Sequence, residues 1–99
     1  MLEVTDTAKE KLLGAIVAET KDPEVAVRIV VVESEHMPFE FIFDKANEND
    51  IIVTSDDDRK LFLVDKGIAP RFKGMTLDFR ETPNGPDFII IMPEEKKDE

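Results

Sequence analysis

Apolar side chains recur along this chain at two spacings. Between residues 8 and 17 they fall at Ala8, Leu12, Ile16 and at Leu13, Val17, the four-residue steps of one helical face, with Lys9, Glu10, Lys11 and Glu19 as the main charged positions. Two N-caps compete at the start. Thr7 with Glu10 makes a capping box, whereas Thr5 would place Asp6 at the positive end of the helix dipole. Both remain open from the sequence. Gly14 costs a helix about 1 kcal/mol against Ala, which predicts close packing on a neighbour. Thr20-Lys21-Asp22-Pro23 ends the helix. Leu2 to Val4, ahead of it, reads as an edge strand.

From Val25 the spacing shortens. The segment VAVRIVVVESEHMPFEFIF, Val25 to Phe43, holds two β-type runs and is the centre of the chain. The first is nearly all Val and Ile, which suit a pleated, buried surface. Val27, Ile29 and Val31 share one face, and Val30 and Val32 share the other. The second run alternates, with Phe39, Phe41 and Phe43 opposed by Glu40 and Ile42. Pro38 marks its start, because it disfavours helix at the preceding residue and cannot donate to a ladder. Beyond a polar loop, Lys45 to Asp50, further strands are predicted at Ile51–Val53, Leu61–Val64 and Met75–Arg80. The run Phe88–Met92 is short and wholly apolar, as in a strand buried on both faces. Asp56-Asp57-Asp58, Asp65-Lys66-Gly67 and Pro83-Asn84-Gly85-Pro86 are turns, and Ile68 to Gly74 holds at most one helical turn. One helix with six or seven short strands predicts a β-rich α+β domain.

Length and charge narrow the picture. At 99 residues this is one domain, residues 1–93, followed by a charged tail, 94–99, expected to be disordered. A net charge of −10 disfavours nucleic acid, which needs basic groups to displace counterions, and disfavours anionic membranes likewise. No apolar run approaches the length of a membrane span, and residues 1–6 lack the charge and apolar core of a signal peptide. The absence of cysteine removes disulfides and thiolate chemistry, and favours a cytoplasmic protein.

The order of these elements and several short pieces resemble the A-type iron–sulfur carrier family, the HesB/IscA-like proteins. The pieces are Val4-Thr5-Asp6-Thr7-Ala8, Val27-Arg28-Ile29, Phe39-Glu40-Phe41 and Asp50-Ile51-Ile52-Val53, then Leu63-Val64-Asp65, Gly74-Met75-Thr76-Leu77-Asp78-Phe79 and Asp87 to Pro93. The resemblance covers nearly the whole chain, and its specificity lies in the ordered series. It implies a flattened β-sandwich with an N-terminal helix, a homodimer or higher homo-oligomer, protein partners of iron–sulfur assembly, and carriage of a cluster or iron rather than catalysis. Family members place one cysteine in the loop after the first long strand and a Cys-Gly-Cys pair near the C-terminus. Here the loop position falls on His36, the only histidine, and Pro93 is followed only by Glu94-Glu95-Lys96-Lys97-Asp98-Glu99. Clusters are held mainly by thiolates, and even two-histidine centres keep two cysteines. The chain therefore reads as a degenerate member that retains the fold and holds no cofactor.

Other chemistry is thinner. His36 could ligate zinc, copper, iron or nickel with help from Glu33 or Glu35, which makes a small metal- or ligand-binding protein the alternative function. A lone histidine without a second at ligand spacing is more often an ordinary loop residue. Ser34 lacks an oriented Asp or oxyanion turn, Glu33, Glu35 and Glu40 read as solvated carboxylates, and the Asp56 turn lacks the glycine and late glutamate of a calcium loop. No glycine-rich phosphate motif occurs. The surplus apolar positions Val30, Val32 and Ile42 lie either under the helix or at a subunit interface.

Overall fold

The computed structural model describes residues 2–32 and 39–92. The helix α1 spans Asp6–Glu19, and seven strands are present among the described residues: β1 (Glu3–Val4), β2 (Val25–Val31), β3 (Phe39–Lys45), β4 (Asp50–Thr54), β5 (Lys60–Asp65), β6 (Thr76–Thr82) and β7 (Gly85–Ile91). A single 3-10 turn, Ala69–Phe72, links β5 to β6, as Pro70 and Gly74 imply. The strands form two sheets, one of order β1-β6-β7 and one of order β3-β2-β5-β4. This is the expected β-rich α+β fold with an N-terminal helix.

Thr5 wins the choice of cap. Its Oγ1 accepts the Ala8 N–H at 3.1 Å and donates to Asp78 Oδ1 at 2.7 Å, while the Thr5 N–H donates to the Leu77 carbonyl at 3.0 Å. A residue in the helix start is thereby tied to β6, a selection that a local capping rule cannot make. α1 packs on β2, β5 and β6 through Ala8, Leu12 and Ile16, all buried. These join Val27, Ile29, Leu61 to Val64, Phe72 and Leu77 in one core. Burying each large member is worth about 1.5–3 kcal/mol.

Three expectations are corrected. Gly14 packs on nothing: it is exposed, and a Cβ there would meet no atom within 4 Å. Val17 lies off the buried stripe, 52% exposed. The run Phe88–Met92 is only half-buried throughout, because β7 is the edge of a three-stranded sheet rather than a central strand.

Candidate functional site

His36, expected in a loop from the sequence, falls within residues 33–38, outside the described residues, as do Glu33, Ser34, Glu35 and the charged tail, 94–99. The loop's two supports are described. β2 and β3 pair antiparallel in unbroken register from Val25↔Lys45 to Val31↔Phe39. At the loop end the Phe39 ring packs against Phe72 of the 3-10 turn, with centroids 5.3 Å apart. The hairpin is thus gripped just below the position that the family resemblance singles out.

Its base is held by charge. Arg28 interrupts the apolar run of β2 and is buried, as is Asp50 at the start of β4. Arg28 Nη1 and Nη2 donate to the two Asp50 carboxylate oxygens at 2.6 and 2.8 Å, Nε donates to Asp44 Oδ2 at 2.8 Å, and Nη2 also reaches the Lys45 carbonyl at 3.2 Å. This is the bidentate fork geometry that arginine offers and lysine does not. The Arg28 hydrogen bonds hold the Asp50 carboxyl below its ordinary range against the opposing effect of burial, and the Asn47 N–H helps. Asp44 is lowered first by its bond from the Lys45 N–H and then by Arg28. The guanidinium is correspondingly harder to deprotonate, chiefly through Asp50. Arg28 and Asp50 satisfy one another in the buried pair, whereas Asp44, 47% exposed, meets Arg28 through Oδ2 alone. The sequence reading placed Asp50 in a loop. The missed signal was Arg28 itself, since a buried arginine demands a carboxylate nearby.

Among the described residues, no strand pairs with the side of β3 away from β2. β3 is an edge strand, and Phe41, Ile42 and Phe43 are 38%, 42% and 43% exposed. The phenylalanine face looks inward, where Phe41 meets Phe62 and Phe88, each with centroids 6.1 Å away. Beside it lies a groove of about 160 Å³ walled by Leu12, Ala15, Val27, Leu77 and Phe88 and by β3 itself. Of the surplus apolar trio, Ile42 is exposed and Val30 and Val32 are half-buried, so none enters the core beneath the helix.

The donor set does not suit an iron–sulfur cluster. The chain has no cysteine, and among the described residues no three His, Cys, Asp or Glu side chains converge to hold a metal ion. Glu40 points to solvent, and Asp56, Asp57 and Asp58 form an exposed turn with Asp58 at φ 63°.

No family model matches the chain, and no curated protein does. Solved structures share its fold. IscA with a [2Fe-2S] cluster is 16% identical with a TM-score of 0.63, covering 94% of this chain and 86% of its own. Escherichia coli SufA, described as involved in biosynthesis of iron–sulfur clusters, is 22% identical with a TM-score of 0.65 and the same coverage, 94% and 86%. A solution structure of a protein from Aquifex aeolicus is 24% identical with a TM-score of 0.59, covering 93% and 91%. The HesB/IscA-like fold implied by the ordered series of motifs is the fold this chain has.

Proposed function

We propose that this chain is a cysteine-free relative of the iron–sulfur carriers, which acts in or beside cluster biogenesis through protein contacts, without catalysis and without holding a cluster. One observation carries the reading: a fold shared with IscA and SufA over 94% of the chain, on a sequence with no thiolate. The scaffold is kept while the cluster ligands are missing, which leaves the surface of the fold as the means by which the protein would act. No helix among the described residues is long and apolar enough to cross a membrane, and the acidic, cysteine-free composition fits the cytoplasm. The chain also self-associates in this reading, through apolar surface that the monomer leaves open.

Anaerobic reconstitution with iron and sulfide tests the proposal. The protein should stay colourless, with no stoichiometric iron or sulfide after desalting, because no thiolate is available. A stable visible chromophore carrying both elements overturns it. Zinc or nickel binding by the wild type that disappears in His36→Ala, and weakens as pH falls through the histidine range, would transfer the chain to the metal-binding reading.

A further inference from the structure

The chain has a net charge of −10, yet one segment reverses the sign. Lys66 to Lys73 holds Lys66, Arg71 and Lys73 and no acidic residue. All three cations are exposed. Among the described residues no ion pair engages them, whereas Arg28, Lys45, Lys60 and Arg80 each meet a carboxylate within 3.4 Å. Asp65, the nearest acid in sequence, is already engaged: its Oδ1 accepts the Gly67 N–H at 2.7 Å and the Asn49 amide at 3.2 Å.

The fold gathers two of these cations around one hollow. Lys66 and Lys73 line it together with the apolar Ile51, Ala69 and Pro70, and no carboxylate does. Hollows elsewhere mix the signs. The one beside the helix start sets Asp6, Glu10 and Asp56 against Lys9, and the one beside Ser55 sets Glu24, Asp57 and Asp58 against Arg59 and Lys60. The turn that presents the lysine pair is also fixed. The Lys66 N–H donates to the Asn49 carbonyl at 2.8 Å and the Lys73 N–H to the Pro70 carbonyl at 3.3 Å, while Ala69 and Phe72 are buried. Docking there orders side chains and not backbone, which lowers its entropic cost.

We infer that this hollow docks a short acidic segment of a partner protein, in which an apolar side chain lies between carboxylates. The inference rests on the reading that the chain acts through protein contacts, and it gives that role a surface. The apolar lining takes the central side chain, and the two ammonium groups take the flanking carboxylates. A free phosphate fits less well, because the apolar lining offers it nothing and no guanidinium joins the two lysines. A nucleic acid is poorer still. Its charge continues along the strand and would meet the acidic remainder of the surface, whereas a short segment confines its charge to the patch. Charges beyond about 8 Å are screened at physiological salt, so the local sign decides.

The test follows the amide chemical shifts of the isotope-labelled full chain as a blocked peptide, Asp-Glu-Leu-Glu-Asp, is added. At millimolar peptide and physiological salt, shifts should concentrate on Ile51 and on Lys66 to Gly74. Lys66→Ala with Lys73→Ala, both at exposed positions, should weaken binding about tenfold, since two surface ion pairs are lost together. Circular dichroism checks the fold of this double variant; should it fail, Lys66→Gln with Lys73→Gln replaces it. Replacing the peptide's leucine by serine should weaken binding as well, and salt of about 1 M, which cuts the screening length to about 3 Å, should abolish it. Shifts confined to other parts of the surface, or equal affinity in the wild type and the double variant, overturn the inference. So does oligouridylate that binds as tightly at the same amides. If removing residues 94–99 itself shifts these amides and tightens the peptide, the occupant is the chain's own acidic tail, and the partner assignment is wrong. None of these outcomes touches the anaerobic reconstitution, so the iron–sulfur reading stands or falls separately.

Discussion

Replacing Arg28 by Met should show how the hairpin is held. Methionine keeps the apolar stem but removes four hydrogen bonds, three of them to Asp44 and Asp50 carboxylates at 2.6–2.8 Å. Asp50, whose side chain is 0% exposed, would keep only the bond from the Asn47 N–H at 2.9 Å. Breaking a buried pair from one side costs about 3–5 kcal/mol, a large share of the 5–15 kcal/mol typical of a domain. For a chain this long that corresponds to a fall in Tm of roughly 12–40 °C. The pH dependence should also change sign. In the wild type the folded carboxyls of Asp44 and Asp50 are depressed below their ordinary 3.8. Their contribution is fully present above the unfolded value and drains away as pH falls from about 4 through the folded values. Without Arg28, desolvation outweighs the remaining bond from the Asn47 N–H and raises the folded value of Asp50. Its contribution in the variant is then greatest below about pH 4 and is lost as pH rises through the raised value. Urea unfolding followed by circular dichroism at pH 4 and 7 reads both effects. The wild type should be the more stable at pH 7, and the loss caused by the substitution should shrink at pH 4. Arg28→Met with Asp50→Leu should recover much of that loss, since an apolar pair of similar volume removes the stranded charge. A loss under about 1 kcal/mol, equal at both pH values, would refute the role assigned to the pair.

Two smaller perturbations test the helix. Gly14→Ala, in open space, should stabilise the domain by about 0.8–1 kcal/mol, seen as a Tm rise of about 4–8 °C; a lower Tm would mean that the glycine is packed after all. Thr5→Ala removes both the cap on the Ala8 N–H and the bond to Asp78, the main cause of that carboxyl's depressed pKa. It should cost about 1–2 kcal/mol in urea unfolding while Thr5→Ser retains most of the stability, and an equal loss in both variants would point to the methyl instead.

Local chemistry determined a great deal here. The helix over Asp6–Glu19, the β2–β3 hairpin, the turn at Asp56 and the stop at Thr20 all follow from spacing, caps and turn residues within a few positions of one another. The absence of thiolates, and with it the misfit to a cluster, is likewise a property of composition alone. What the sequence left open depends on which strand lies beside which. Period-two alternation assigns residues to faces, but says nothing of neighbours along the hydrogen-bonding direction. β5 inserts beside β2 in parallel and separates it from β4, so β3 becomes an edge and its phenylalanines stay exposed. In the other sheet β6 lies between β1 and β7, which leaves β7 at an edge and its apolar run half-covered. Strand order also brings Asp50 to Arg28 across 22 residues of chain, a pairing that no local rule contains. The free space around Gly14 and the choice of Thr5 over Thr7 were decided in the same way, by what the folded sheets put, or failed to put, against the helix.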